Sequence, residues 1–542
     1  MNKKHLAIIT LLAVFVVAVF ALCGCDWLSD TDEGSEGLEI LDHETFCTVK
    51  GIGTCTDTDV KIPDKYNGKP VTSIENEAFK NGNVKSVTLG ANIGYIGRYA
   101  FFNNPIEKVT FAKNSKLTNI GKSAFENCAN LKEITLPSDV KEIDEYAFAG
   151  CAALTDVNLN EGLEDIDRTA FQFCYRLLNL TIPSTVTSGA IGFYECVRLR
   201  ELCYKSQSAD INDYGTANLH VYRYNEGASY LFKQGDFVFY DNGRGTPELV
   251  RYDGNASDVM LPNNYNGQKY ALGAYAFYLD KNVGNVIIPE TMEVIGEYAF
   301  SNCTNLQEVT IPSNVKTIGT NAFEFCEGLA TVNWNAKNCP NTPFGEHCAS
   351  LTTINFGDSV ETIGEYAFFE LPNLTTVTIG KNVTKVEHTV FGECPNLSTI
   401  TVSEENTAYY SSGNCLIDTA TKTLTVGCKE VTIPNDGSVT RLGLACFYGR
   451  NIESVIVPSC VTEIDKYAFA YCRNLNEMSI QGHITSLGYG VFSAVYNLPN
   501  IDYAGTVSEF SALLNNDSFQ DRTGVKTVTC SNGVLTLKPS QF

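Results

Sequence analysis

A phenylalanine returns every 21 to 24 residues along three stretches of this chain. It stands at Phe79, Phe101, Phe125, Phe148, Phe171 and Phe193, then Phe277, Phe300, Phe323, Phe344, Phe368 and Phe391, then Phe447, Phe469 and Phe492. Ten of the fifteen follow an alanine, and the repeat is plainest where LKEITLPSDVKEIDEYAFAGC (131–151) returns as LQEVTIPSNVKTIGTNAFEFC (306–326). A fixed period of this length overrides the several globular domains that 542 residues would otherwise suggest. It means a solenoid, because one repeat cannot bury its own apolar face and must stack on neighbours.

Within a repeat, Ile134-Thr135-Leu136 alternates apolar and polar, which predicts a half-buried strand of about three to five residues. Pro137 cannot donate to a strand ladder and ends it. Val140 and Ile143 stand three apart, and the Gly or Asp after the isoleucine suits a turn. Ala147-Phe148 sets a small residue beside a large one, so that a ring fits between stacked coils. Burying each ring is worth ~1.5–3 kcal/mol. Ala-Phe, the proline after the strand and the Cys or Asn after the phenylalanine recur together over most of 47–503. This pattern resembles the BspA-type leucine-rich repeat. The resemblance implies a curved, coil-stacked solenoid with a parallel sheet, and a cell-surface adhesion or interaction protein, not an enzyme. The expected fold is a leucine-rich-repeat solenoid, mostly β with short helical or 3-10 turns, in three blocks of about fifteen repeats in all.

Taken in order, 1–24 reads as a lipoprotein signal peptide: Lys3 and Lys4, then an apolar run from Leu6 to Leu22. The ending Leu22-Cys23-Gly24-Cys25 resembles a bacterial lipobox and marks Cys25 for lipidation. An ordinary secretory signal or a transmembrane anchor is the alternative. Residues 25–45, the lipidated cysteine and an acidic stretch, read as a solvated tether. Array 1 spans 46–203, a non-repeat insertion with β-hairpins 204–250, array 2 251–402, a hairpin interruption 403–430, array 3 431–502 and a C-terminal cap 503–542. The cap carries one short helix in GTVSEFSALLNN. The expected location is exported, extracytoplasmic or at the cell surface, and membrane-anchored by lipid.

Formal charge is −23, and −25 once Lys3 and Lys4 leave with the signal. No basic stripe is present, which argues against nucleic acid as a partner. Among twenty cysteines, Cys128, Cys151, Cys174, Cys196, Cys303, Cys326, Cys394 and Cys472 sit three residues after the repeat phenylalanine, and Cys348 four after. Stacking makes these a column of reduced, packed thiols, since cysteine also behaves as a small buried hydrophobe. The pairs Cys47 with Cys55, Cys339 with Cys348 and Cys415 with Cys428 are better disulfide candidates. No C-x-x-C pair, H-E-x-x-H, G-x-S-x-G or phosphate loop occurs, so no metal, cofactor or catalytic residue is assigned.

Two ladders are candidate ligand surfaces. Outward strand positions read Thr88, Thr110, Thr135, Asn158 and Thr181, then Ile287, Thr310, Asn333, Asn355, Thr378 and Thr401. Stacked, they form either a hydrogen-bonding face for a protein or glycan, or residues merely comfortable on an exposed strand stack. Ice binding by a threonine array is disfavoured because the flanking column, Lys108, Glu133, Asp156, Asn179 and Glu308, is charged and irregular. The second ladder is Tyr99, Tyr146, Tyr275, Tyr298, Tyr366 and Tyr467, each just before Ala-Phe. Tyrosine is enriched at interfaces, but here packing is the better reading. The expected function is binding of a host or neighbouring-cell surface protein through the repeat face. The rivals are a surface enzyme or glycan-binding protein with its site in 204–250, and a structural spacer.

Overall fold

The structure is a computed structural model and describes residues 34–186, 192–205, 220–223, 229–341, 343–344, 348–514 and 523–537. The signal segment, Cys25 and the first part of the acidic tether lie outside the described residues. The chain forms two compact units, 1–228 and 229–542.

Each coil has three sides. The first is the expected strand: Glu133–Thr135 pairs in parallel with Asp156–Asn158, with Ile134 opposite Val157. Ile134 is buried and Thr135 exposed, as alternation requires. The second side was not apparent from the repeat. Glu142–Ile143 is a two-residue strand, parallel to Asn119–Ile120 and Asp165–Ile166. The isoleucine that sequence places before a turn therefore anchors a second parallel stack.

The third side is a run of turns closed by i→i−3 hydrogen bonds, such as Ala100 to Gly97 and Phe102 to Tyr99, both at 3.2 Å. Residues two before and two after the phenylalanine take left-handed backbone: Tyr99 and Asn103 at φ 56°, Tyr298 at 52° and Asn302 at 61°. This alternation aims every second amide at the next coil. Tyr99 donates to the Lys122 carbonyl at 2.9 Å, Phe101 to Ala124 at 2.8 Å and Asn103 to Glu126 at 2.9 Å. Backbone hydrogen bonds thus run between coils on all three sides, which is how a narrow solenoid satisfies its main chain. A left-handed L-residue costs ~1–2 kcal/mol, least for Asn and nothing for Gly. That favours the Asn and Gly found two after the ring, at Asn81, Asn103, Asn127 and Gly150.

Inside, the rings stack. Phe79, Phe101, Phe125, Phe148 and Phe171 lie 5.0–5.5 Å apart with planes within 7°. In the second unit Phe277 to Phe391 continue at 5.0–6.0 Å. Phe447, Phe469 and Phe492 form a further stack at 5.1 and 6.1 Å. These separations suit aromatic pairs. The cysteine column has a defined task beside them. Each thiol donates to the carbonyl of the repeat phenylalanine one coil back: Cys128 to Phe101 at 3.3 Å, Cys196 to Phe171 at 3.0 Å, Cys326 to Phe300 at 3.1 Å, Cys472 to Phe447 at 3.0 Å. Asn104 fills the same slot with its amide, 2.7 Å from the Phe79 carbonyl.

Every described cysteine is a free thiol. This overturns the three disulfide candidates. Cys47 points at Asp42 and the Tyr66 carbonyl, Cys348 serves the Phe323 carbonyl, and Cys339, Cys415 and Cys428 are packed thiols. Cys55 is a free, half-exposed thiol.

Among the described residues, nineteen strands stack on the first side where fifteen phenylalanines were counted, because coils such as those that begin at Glu201–Tyr204 and Thr527–Cys530 lack the ring. Each block opens in one way, with an antiparallel hairpin whose last strand starts the short parallel stack. Glu39–Asp42 pairs with Cys47–Gly51, which then meets Lys69–Ile74; so part of the segment read as tether is strand. In the second unit Leu231–Gln234, Phe237–Tyr240 and Glu248–Tyr252 form a meander that meets Ala271–Leu272. Tyr409–Ser412, Cys415–Asp418 and Thr423–Gly427 do the same before Arg441–Leu442. The expected helix is Val507–Leu513, capped by Thr506 with Glu509 closing a capping box.

Two outcomes test this packing. Phe148→Ala should lower stability by ~3–5 kcal/mol in urea unfolding, as a large cavity in a stacked core does. Burial pushes the column thiols up, Cys128 and Cys472 to about 12 and Cys394 to about 11. A raised folded value means the contribution is whole below the unfolded value of ~8.5 and is lost as pH rises toward the folded ones. The urea midpoint should therefore fall between about pH 8.5 and pH 11, and fall less steeply in Cys128→Ala.

Candidate functional site

The polar ladder is continuous only in the second unit. There Thr310, Asn333, Asn355, Thr378 and Thr401 are direct register neighbours. In the first unit Thr88 neighbours Thr110, and Thr135 neighbours Asn158, in separate sheets, while Thr181 stands beside Cys203. The side chains partly satisfy one another: the Asn333 amide donates to Thr310 at 3.3 Å and the Asn355 amide to Asn333 at 2.9 Å. Beyond Glu308 the flanking column is not charged, as the first repeats suggested; it reads Thr331, Thr353, Thr376 and Thr399. Four coils thus present two outward columns made wholly of Thr and Asn. The ladder column starts with Met260 and Ile287, 69% and 57% exposed.

The tyrosines occupy the left-handed position two before the ring, with φ from 52° to 61°. They form no continuous ladder. Ser123 interrupts Tyr99 and Tyr146, and only Tyr275 and Tyr298 stack on each other, at 5.1 Å. Tyr366 and Tyr467 belong to something the repeat did not announce.

They line a cleft of about 1170 Å³ within the second unit, with Glu365, Phe369, His388, Thr389, Leu444, Tyr448, Tyr471, Arg473, Tyr489 and Tyr496. Its origin lies in the hairpin interruption. In the repeat pattern Phe391 would donate its amide to the Cys446 carbonyl, as Phe368 does to Val390 at 3.0 Å and Phe447 to Ala468 at 2.8 Å. Gly427 of the hairpin takes that carbonyl instead, at 2.8 Å. Among the described residues, neither Thr389 nor Phe391 makes its cross-coil bond. Two residues further on the ladder resumes, Glu393 donating to Tyr448 at 3.3 Å. The two coils therefore touch at one end of the turn and part at the other, and the parted end is the cleft.

Arg450 holds the wedge. It is buried in the thiol slot of its coil and donates to the Gly427 carbonyl at 2.8 Å, Phe391 at 2.7 Å and Cys394 at 3.1 Å. A Cβ on Gly427 would lie 1.9 Å from the Phe447 ring, and Gly449, at φ 70°, packs on the Glu393 backbone. Both positions require glycine.

The cleft wall is ordered aromatic surface. Tyr448 lies 4.9 Å from Tyr471 and 6.3 Å from Phe369, and Tyr467 5.4 Å from Tyr489. Arg473 spans the Tyr471 ring at 5.5 Å and reaches the Glu393 carboxylate at 3.9 Å. Burial pushes the Tyr448 hydroxyl up to about 12, helped by Tyr471 and Glu393. Burial also raises Glu393, against the pull of Arg473. Sequence reasoning missed Tyr448, Tyr471, Tyr489, Tyr496, His388 and Arg473, whose letters do not recur from repeat to repeat. The available signal was the 56-residue step from Phe391 to Phe447, not a multiple of the period.

Of the insertion, His220–Arg223 is a strand parallel to Glu201–Tyr204 and 229–250 belongs to the strand meander, while 206–219 and 224–228 lie outside the described residues. Among the described residues no group of three or more His, Cys, Asp or Glu side chains could hold a metal ion.

Coils closed by two parallel stacks and a turn-side ladder define a leucine-rich-repeat scaffold. The chain belongs to the BspA type leucine rich repeat family, whose model matches 72–200, 270–344, 337–418 and 417–526. Similar solved structures include a leucine rich cell surface protein from Faecalibacterium prausnitzii, 18% identical over 90% of this chain and 98% of that one, with a TM-score of 0.26. A leucine-rich repeat protein from Bacteroides ovatus is 20% identical over 93% and 99%, with a TM-score of 0.28. The pneumococcal vaccine antigen PcpA is 17% identical over 94% and 100%, also at 0.28. No curated protein matches the chain.

Gly427→Ala tests the wedge. The added methyl should strain the Phe447 ring and cost ~1–3 kcal/mol in urea unfolding.

Proposed function

We propose that the protein is an exported, lipid-anchored surface protein that binds a macromolecular partner, a protein of a host or neighbouring cell, through its repeat face. The lipobox-like Leu22-Cys23-Gly24-Cys25 supports export and anchoring. One observation carries the binding reading: an open sheet face in which Met260 and Ile287 lead into two uncharged Thr and Asn columns across four coils. Such a face has area without enclosure, which suits a large partner more than a small substrate. Uncharged hydroxyls and amides cost less to desolvate than the charges elsewhere on this acidic chain.

The test is surface binding of purified 26–542 to a panel of extracellular matrix proteins, cell-surface ectodomains and polysaccharides. Thr310→Ala should cost under ~1 kcal/mol, because contacts are spread over several coils. A quadruple variant, Thr310→Arg, Asn333→Glu, Asn355→Arg and Thr378→Glu, alternates in sign so that neighbouring charges pair. It should keep the unfolding profile and lose binding. Wild-type binding by this variant to every partner found would place the site elsewhere.

A further inference from the structure

The aromatic cleft lies on the turn side of the coils, away from the sheet face, and its chemistry is separate from the binding reading above. Its tyrosine rings are pre-ordered by contact with one another, so a ligand need not pay to fix them. Ring faces carry the negative side of the aromatic quadrupole. They attract groups with polarised C–H bonds and a flat apolar face. The volume of about 1170 Å³ lies just above the ~300–1,000 Å³ usual for small-molecule sites, which gives room for an extended ligand.

The polar groups narrow the class. Glu365 and the neighbouring Glu393 accept hydrogen bonds only, Arg473 donates only, and the tyrosine hydroxyls do both. A matching ligand must donate and accept along its edges while showing an apolar face. A polynucleotide could stack on such rings, but its phosphates need cations. Arg473 is the one fixed cation among the described lining residues, and it already faces Glu393. A polyproline peptide also suits aromatic grooves. It offers carbonyl acceptors without N–H donors, and would leave the Glu365 carboxylate unmatched at a desolvation cost. Sugar rings meet both demands, with C–H faces for the tyrosines and hydroxyl edges for the carboxylates and Arg473.

We propose that this cleft binds a neutral oligosaccharide, stacking sugar rings on Tyr448, Tyr467 and Tyr471 and holding their hydroxyls through Glu365, Arg473 and His388.

The experiment is calorimetric titration of 26–542 with cellohexaose, maltohexaose, mannohexaose and chitohexaose, and with a decaproline peptide. At least one of the four sugars should bind. Tyr448→Ala and Tyr471→Ala should each weaken it roughly tenfold or more, ~1.4 kcal/mol, while Tyr448→Phe keeps the ring and stays within about threefold. Tyr496→Ala and Arg473→Ala change exposed side chains, so weakened binding there reports on the cleft and not on folding. The quadruple sheet-face variant should bind the sugar as wild type does, which separates the two readings. The proposal is overturned if none of the four sugars binds, or if all the alanine variants bind like wild type. Decaproline binding in place of the sugars would assign the cleft to peptide instead.

Discussion

The structure depends on the backbone hydrogen bonds that join one coil to the next on the turn side. Strand stacks on the other two sides are ordinary parallel pairing. The turn side has no strand to offer, and it reaches the next coil only by alternating left-handed residues around the ring, as at Tyr99 and Asn103. Where that ladder holds, the phenylalanines stack and the coil is closed. Where Gly427 takes the carbonyl that Phe391 would have used, the coil opens and aromatic side chains line the gap.

The same geometry explains the residue three after the ring. In the thiol coils the phenylalanine carbonyl receives a donor from the next coil. Cysteine supplies an S–H within little volume, Asn104 an amide and Arg450 a guanidinium that reaches across the wedge. A disulfide would consume these donors. The reduced column is thus a consequence of main-chain accounting, and it needs no reducing compartment to explain it.

Much of this was legible in the letters. The period, the Ala-Phe pair and the strand alternation specify stacked coils. Three things were not. The two-residue strand at Glu142–Ile143 is too short for any alternation to show. The left-handed turn is hidden because Tyr146 and Glu77 are unusual residues there. The cleft is hidden because a repeat reading averages over the place where the repeat breaks. His388, Tyr448 and Arg473 come together only once Gly427 has displaced a coil contact. The polar face stands between these cases: its Thr and Asn letters were evident, but only register shows that it runs unbroken from Thr310 to Thr401.

The most direct measurement is amide hydrogen exchange at residue resolution on the unliganded protein. Cross-coil bonding predicts slow exchange at Phe368, Phe447 and Phe469, and exchange faster by orders of magnitude at Thr389 and Phe391, where the ladder is open beside the cleft. Equal protection at Thr389, Phe391 and Phe447 would mean that the coils are closed there and that the cleft does not form.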